Sequence, residues 1–379
     1  MSDTLRPAPA PDGGGTVLVL GETMAAFRSD GLWRLGARSS LTIAGAESNV
    51  AIGIARLGWR ARWVGVVGAD EFGALVLRTL RAEGVDVSAA RVEQAAPTGL
   101  IFFEHRMEGA VRVTYRRSGS AGSTLRAEDV DAAFGDDVAL LVVSGITPAL
   151  GAAPREAVHR ALELARGAAV PVVFDVNFRA TLWPADEAAP VLGELASHAD
   201  VVVASEDELA LLAPPASAVA APASEAVPPP ASAVAAPASK AAAPSASTAV
   251  PAPGKQAATT PGNGAAAAEP ESSTVGSLLG AGRREVVVKR GAAGASLFLA
   301  GGSWHRSPPA VDAVDPVGAG DAFVAGYCTA MLEGLPPEAR LGRAVRCGAF
   351  AVATRGDWEG LPRRDELRLL ELPPGGVQR

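Results

Sequence analysis

Short apolar runs alternate with amphipathic stretches along most of this 379-residue chain. The runs Thr16–Leu20, 62–67, 139–144, 170–176, 200–204, Glu285–Lys289 and Ala295–Leu299 are rich in valine and leucine. Several are continuous rather than alternating, which is how a parallel strand covered on both faces reads. Helical patterns separate them at 48–57, 71–83, 154–166, 206–212, 321–332 and 341–354. Strands and helices in alternation connect by right-handed crossovers. The expected fold is therefore α/β, a doubly wound sheet between two helical layers. One region breaks the pattern. Residues 98–104 and 110–116 alternate apolar with polar, with a turn expected at 107–109. They predict an antiparallel hairpin. With residues 41–43 it would form a small projecting sheet, a flap able to cover a substrate and exclude water.

Residues 214–276 are of another kind. They are almost wholly Ala, Pro, Ser and Val, and PPASAVAAPAS occurs at 214–224 and again at 229–239. With few large side chains and many prolines, this reads as a disordered insertion. The expected organisation is an N-terminal tail (1–14) and one globular domain (15–213 and 277–370) interrupted by the insertion. The net charge of −7 and the lack of a basic run argue against nucleic-acid binding. Two cysteines give neither a disulfide framework nor a metal spacing, so a reduced, cytoplasmic setting is expected. The N-terminal residues lack a signal-peptide pattern, and no apolar run is long enough to span a membrane.

Chemistry concentrates in VDAVDPVGAGDAFVAGY, residues 311–327. It reads as a turn that opens a helix. Gly318, Ala319 and Gly320 leave room for a phosphate, and free N–H groups at the positive end of a helix would hold an anion. Asp321 puts a carboxylate at that spot. Asp is also an ordinary helix cap. Beside a phosphate site, its task would be to take a proton from a hydroxyl that attacks phosphorus.

Two long motifs, GAESNVAIGIARLGWRARWVGVVGADEFG (45–73) and DPVGAGDAFVAGY (315–327), stand in order near opposite ends of the domain. Through them the chain resembles the ribokinase-like (PfkB) sugar kinases over nearly its whole length outside the insertion and tails. It looks most like the 2-keto-3-deoxygluconate kinases, through RRSGSAGS (116–123), SGITPAL (144–150), DVNFRATLW (175–183), VVKRGAAGA (287–295) and RGDWEG (355–360). The resemblance implies a three-layer α/β/α domain with a β-sheet lid, at about 21–45 and 97–118. It implies ATP and Mg²⁺ as cofactors, a small sugar acid as substrate and a homo-oligomer formed through the lid.

Site residues follow from the same resemblance. Asp321 would be the catalytic base, with Gly318, Ala319 and Gly320 stabilising the transferring phosphoryl group. Gly45 would let the backbone approach the sugar, and Asn49 would bond its hydroxyls. Arg116 and Arg179 would meet the sugar carboxylate, since a guanidinium matches it with two parallel hydrogen bonds. Asp357 would also contact the sugar. Asn177, Arg179, Ser205, Lys289, Arg290, Gly291 and Gly294 would surround the nucleotide. Glu208 would help organise magnesium, within a Ser205-Glu206-Asp207-Glu208 run where many relatives carry Asn-x-x-Glu.

There are departures. Flap tyrosines that touch the sugar in ketodeoxygluconate kinases would fall at Ile101 and Thr114, although Tyr115 is adjacent. Ribokinases hold neutral hydroxyls with Asn and Asp just after the first strand, where this chain has Gly21-Glu22-Thr23. The leading expectation is a kinase of 2-keto-3-deoxygluconate acting at its C6 hydroxyl. The alternatives are a PfkB-type kinase of a neutral sugar or nucleoside, and a sugar-binding sensor without catalysis.

Overall fold

The structure, a computed structural model, describes residues 14–107, 110–212, 269–280 and 285–371. The tail before residue 14, the tip of the hairpin turn and the repeat-bearing part of the insertion lie outside them. An eight-stranded sheet forms the centre. Across it run β14 (Gly302–Arg306), β13 (Ala295–Leu299), β12 (Glu285–Lys289), β11 (Val201–Ser205), β10 (Val172–Asp175), β9 (Val138–Ser144), β1 (Thr16–Leu20) and β4 (Arg60–Val64), numbered in chain order. From β12 to β4 every neighbouring pair is parallel; β13 and β14 add an antiparallel edge.

Strand pleating creates the three layers. Successive side chains point to opposite faces. In β1, Val17 and Val19 enter one core while Leu18 and Leu20 enter the other. In β9, Leu140 and Val142 split from Leu141 and Val143 in the same way. The first core is closed by α1 (Ala46–Arg56), α2 (Glu71–Ala82), α8 (Ala319–Leu332) and α9 (Pro337–Val352). The second is closed by α3 (Ala127–Ala133), α4 (Ala152–Gly167), α5 (Ala185–His198), α6 (Glu206–Leu209) and α7 (Glu269–Gly280). The expected three-layer α/β/α architecture is what forms.

The lid is a four-stranded sheet in the order β3 (Ser39–Ala44), β2 (Met24–Ser29), β7 (Leu100–Met107) and β8 (Ala110–Arg116). Met24, Ala26, Ala44, Ile101 and Phe103 give it a small core of its own.

Three expectations change. The single strand at 62–67 divides: β4 pairs with β1, whereas β5 (Val66–Gly68) pairs with β6 (Arg91–Glu93). Gly65 sits at the division. A Cβ there would lie 2.1 Å from the Trp63 ring, so only glycine passes. The helix at 206–212 is α6 followed by a 3₁₀ turn, Ala210–Leu212. The insertion was expected to reach residue 276, yet α7 begins at Glu269. Val275 and Leu278 on α7 are buried in the second core. Each such burial contributes roughly 1.5–3 kcal/mol, and the two side chains, a turn apart, anchor this end of the segment in the second core.

Candidate active site

β10, β11 and β12 end at Asp175, Ser205 and Lys289, and all three residues line one cleft of about 450 Å³. The carboxyl ends of parallel strands are where an open α/β sheet forms its binding crevice. The lid supplies another wall, with Met24, Ile101, Phe103 and Tyr115.

Asp321 lies in the first turn of α8, is buried and lines this cleft. Its place opposite α1 follows from a small-residue contact. Gly53 of α1 meets Ala325 of α8 so closely that a Cβ on Gly53 would lie 2.7 Å from that of Ala325. One turn earlier on each helix, Asn49 Nδ2 donates to Asp321 Oδ2 at 2.8 Å. Burial, reinforced by Asp175, pushes the Asp321 carboxyl up to about 6; the Asn49 hydrogen bond, Arg179 and Lys289 pull against it. A base poised just below neutral pH suits proton abstraction from a hydroxyl. Asn49 Oδ1 is buried with no hydrogen-bond partner among the described residues. Such an acceptor is expected to have one when the cleft is filled.

Gly318 caps α8 with φ 76°, in the left-handed region. A Cβ there would be 1.8 Å from the Asp357 carbonyl oxygen. Glycine is thus required twice, for its dihedral and for close approach. Gly318 and Gly320 line the cleft. Ala319 does not, and its N–H makes a long 3.4 Å bond to the Pro316 carbonyl.

Lys289 Nζ bonds Asp175 Oδ1 at 2.7 Å and lies 3.8 Å from where a Cβ on Gly320 would be. Burial opposes its charge most, but the Asp175 and Glu208 carboxylates outweigh that and hold it protonated. A permanent cation therefore stands beside the glycine turn. Asn177, buried at φ 40°, and exposed Arg179 follow β10 into the cleft. Ser205 caps α6, and Glu208 answers in a capping box: its two oxygens accept from Ser205 N (2.7 Å) and Phe178 N (2.9 Å). Glu208 lines the cleft, and the described residues hold no cluster of three metal-ligating side chains. The donor set fits a metal ion carried by phosphates and water rather than one caged by protein.

Gly45 opens α1 and lines the cleft, and a Cβ there would lie 2.5 Å from the Glu22 carbonyl. Asp357 is buried and lines the cleft.

Thr114, Arg116, Arg290, Gly291 and Gly294 do not line the cleft. Val113, Tyr115 and Arg117 line it, so pleating turns Thr114 and Arg116 to the other side. Arg116 is exposed, with Nη1 bonded to the Tyr115 carbonyl at 3.3 Å. Arg117, its neighbour, is the guanidinium inside. It pairs with buried Glu22 at 2.5 Å. Gly291 and Gly294 form the tight turn from β12 to β13, where Arg290 N bonds the Gly294 carbonyl at 2.8 Å. Arg290 is directed to Glu206 and Ser296. None of these three lines the cleft.

Sequence reasoning overlooked Glu47 and Asp175 and gave Glu22 no role. Glu47 lies within the first motif, two residues before Asn49. Its Oε1 accepts from Thr147 Oγ1 at 2.9 Å, and burial pushes its carboxyl up to about 7. Glu22 follows β1 at the carboxyl edge of the sheet, a position that could have flagged it.

The chain matches the pfkB family carbohydrate kinase over residues 15–239 and 262–364. A 2-dehydro-3-deoxygluconokinase of Thermoproteus tenax is 32% identical, covering 86% of this chain and 85% of the relative. A fructokinase of Escherichia coli is 30% identical over 85% and 90%. The crystal structure of a PfkB protein from Polaromonas sp. JS666 superposes with a TM-score of 0.70 at 28% identity, covering 94% of this chain and 99% of that one. The cleft at the strand ends, the glycine turn opening α8 and these matches agree, and the chain belongs to the pfkB family of carbohydrate kinases.

Proposed function

We propose that this kinase transfers the γ-phosphate of Mg-ATP to the C6 hydroxyl of 2-keto-3-deoxygluconate, giving 2-keto-3-deoxy-6-phosphogluconate. The observation that carries the reading is a pair of guanidiniums, Arg117 and Arg179, in the same cleft as Asp321. A sugar carboxylate is the natural partner for such groups. Asp321 takes the C6 hydroxyl proton as that oxygen bonds to the γ-phosphorus. The bond from phosphorus to the bridging oxygen breaks and leaves ADP. Gly318 and Gly320 offer backbone N–H groups to the transferring group, with Lys289 adding charge. Magnesium would travel with the phosphates, and Glu208 would meet it through water. The T. tenax relative bears the name of this activity.

A second reading is favoured by Glu22. Its contact with Arg117 already neutralises one guanidinium, which would suit a neutral ketose such as the one named in the fructokinase relative. The test is ADP release with Mg-ATP across 2-keto-3-deoxygluconate, its galactonate epimer, gluconate, fructose, ribose and adenosine. A kcat/KM at least about tenfold higher for a ketodeoxy acid, or ~1.4 kcal/mol of discrimination, supports the first reading. Preference for fructose overturns it in favour of the second. Sugar binding with no turnover would overturn both.

A further inference from the structure

We infer that Arg28, a lid residue outside the cleft lining, is a positioning residue that holds Asp357 aligned for substrate and favours its charged form. This rests on the proposed reading that Asp357 contacts the sugar. Arg28 lies on β2 and is buried. Its Nη2 bonds Asp357 Oδ1 at 2.6 Å, and its Nη1 reaches Asp315 Oδ2 at 3.5 Å. Its guanidinium carbon lies 4.0 Å from the ring centroid of Phe103, a lid residue that lines the cleft.

One side chain thus ties the lid to two loops. Asp315 Oδ1 accepts from Val317 N at 3.1 Å, and its Oδ2 accepts from Gly356 N at 3.3 Å. The first bond orders the turn that leads into α8. The second orders the loop bearing Asp357. The two loops also touch directly, where Gly318 meets the Asp357 carbonyl. A shift of Asp357 would therefore displace the glycine turn.

Electrostatics give Arg28 a second part. The charged groups facing Asp357 are Arg28 from β2, Asp315 ahead of α8, Asp321 from α8 and Glu359 from its own loop. One cation stands against three carboxylates. Burial pushes the Asp357 carboxyl up to about 7, Arg28 pulls it down, and the three acids add to the rise. Arg28 is the one of these groups that favours the charged form, so without it the carboxyl would move further toward the neutral form and lose an acceptor for sugar hydroxyls.

The test compares wild type, Arg28→Lys and Arg28→Gln by the pH dependence of kcat/KM for whichever panel sugar the wild type phosphorylates best. The acid limb is expected to move to higher pH in the order wild type, Arg28→Lys, Arg28→Gln. The last should shift by about one pH unit, giving a roughly fivefold loss at neutral pH that recovers in alkali. KM for Mg-ATP should stay within about twofold. A merely structural role would lower stability and leave the limb in place; an unmoved limb in both variants overturns the inference. If Arg28→Gln does not fold, Arg28→Lys decides, together with the ¹³C titration of the Asp357 carboxyl in ligand-free protein, assigned by difference from Asp357→Asn. No upward movement of either overturns the inference. Turnover of a neutral sugar would sink the acid-substrate reading alone, because the ligand-free titration needs no sugar.

Discussion

Asp321 is a carboxyl group whose environment favours its neutral form, while its proposed chemistry needs the charged one. Its folded value, about 6, lies above the ordinary 3.8. The stability it contributes is therefore fully present below pH 3.8 and lost as pH rises through about 6. Two outcomes follow at neutral pH. Asp321→Asn should lower kcat by about 10²–10⁴ and melt no earlier than wild type, with a gain on the order of 1–3 kcal/mol. Turnover reduced by less than tenfold would rule out Asp321 as the base. In wild type, kcat/KM should fall as pH drops through about 7, where Asp357 takes up its proton, and more steeply below about 6, where Asp321 does. Arginine identity is the second residue-scale matter. Replacing Arg117 by Ala would strand Glu22 as a buried charge, so the informative change is Arg117→Lys, which keeps the charge and removes the planar fork. It should raise KM for a sugar acid roughly tenfold, with Arg116→Ala within about twofold of wild type. The reverse ranking would show that the lid register differs. Both arginines were visible in RRSGSAGS, but which one enters depends on which face Tyr115 takes, and two adjacent arginines carry no pattern that decides it.

Elements were more legible than residues. Continuous valine runs become the central strands because both of their faces are buried, and the chain advertises that directly. Less visible were short elements held by single side chains. Asp70 caps α2 by accepting from Gly73 N at 2.8 Å, and it also accepts from Thr98 N and Thr98 Oγ1 just before β7. Thr98 Oγ1 in turn accepts from Gly68 N at the end of β5. One carboxylate thus joins a helix, the small sheet and the root of the lid. Although burial, the largest influence, raises its pKa, these hydrogen bonds outweigh it and hold Asp70 below 3.8. Its stabilisation is present above that value and lost as pH falls through the lower folded one. Asp70→Ala should cost about 1–2 kcal/mol at neutral pH in denaturant unfolding. The gap from wild type should narrow in strong acid; a gap independent of pH would show that the carboxylate charge is not what stabilises the junction.

For the whole molecule, the Ala/Pro/Ser-rich stretch poses the clearest experiment. The 3₁₀ turn Ala210–Leu212 packs against α7, so the two ends of the segment between them lie close together. Replacing residues 214–268 by a linker of about eight Gly/Ser residues removes nearly three doublings of loop length, worth roughly 1.5–2 kcal/mol of closure entropy. The shortened protein should melt no earlier than wild type and keep kcat/KM within about twofold; loss of turnover would give the segment a catalytic part. Ending the deletion at residue 276 instead should destabilise the protein, because it removes Val275 from the core. By itself the sequence determined the layered fold and carried the resemblance to carbohydrate kinases, on which the proposed base Asp321 and the proposed sugar contact Asn49 rest. Those properties are written in local periodicity and in contiguous motifs. Tertiary structure alone decided that Arg117 rather than Arg116 enters the cleft, that Glu22 and Glu47 line it, and that Arg28 grips Asp357. The last two are 329 residues apart. No local period spans such a distance, and a buried pair between distant positions exists only once the sheet has brought them together.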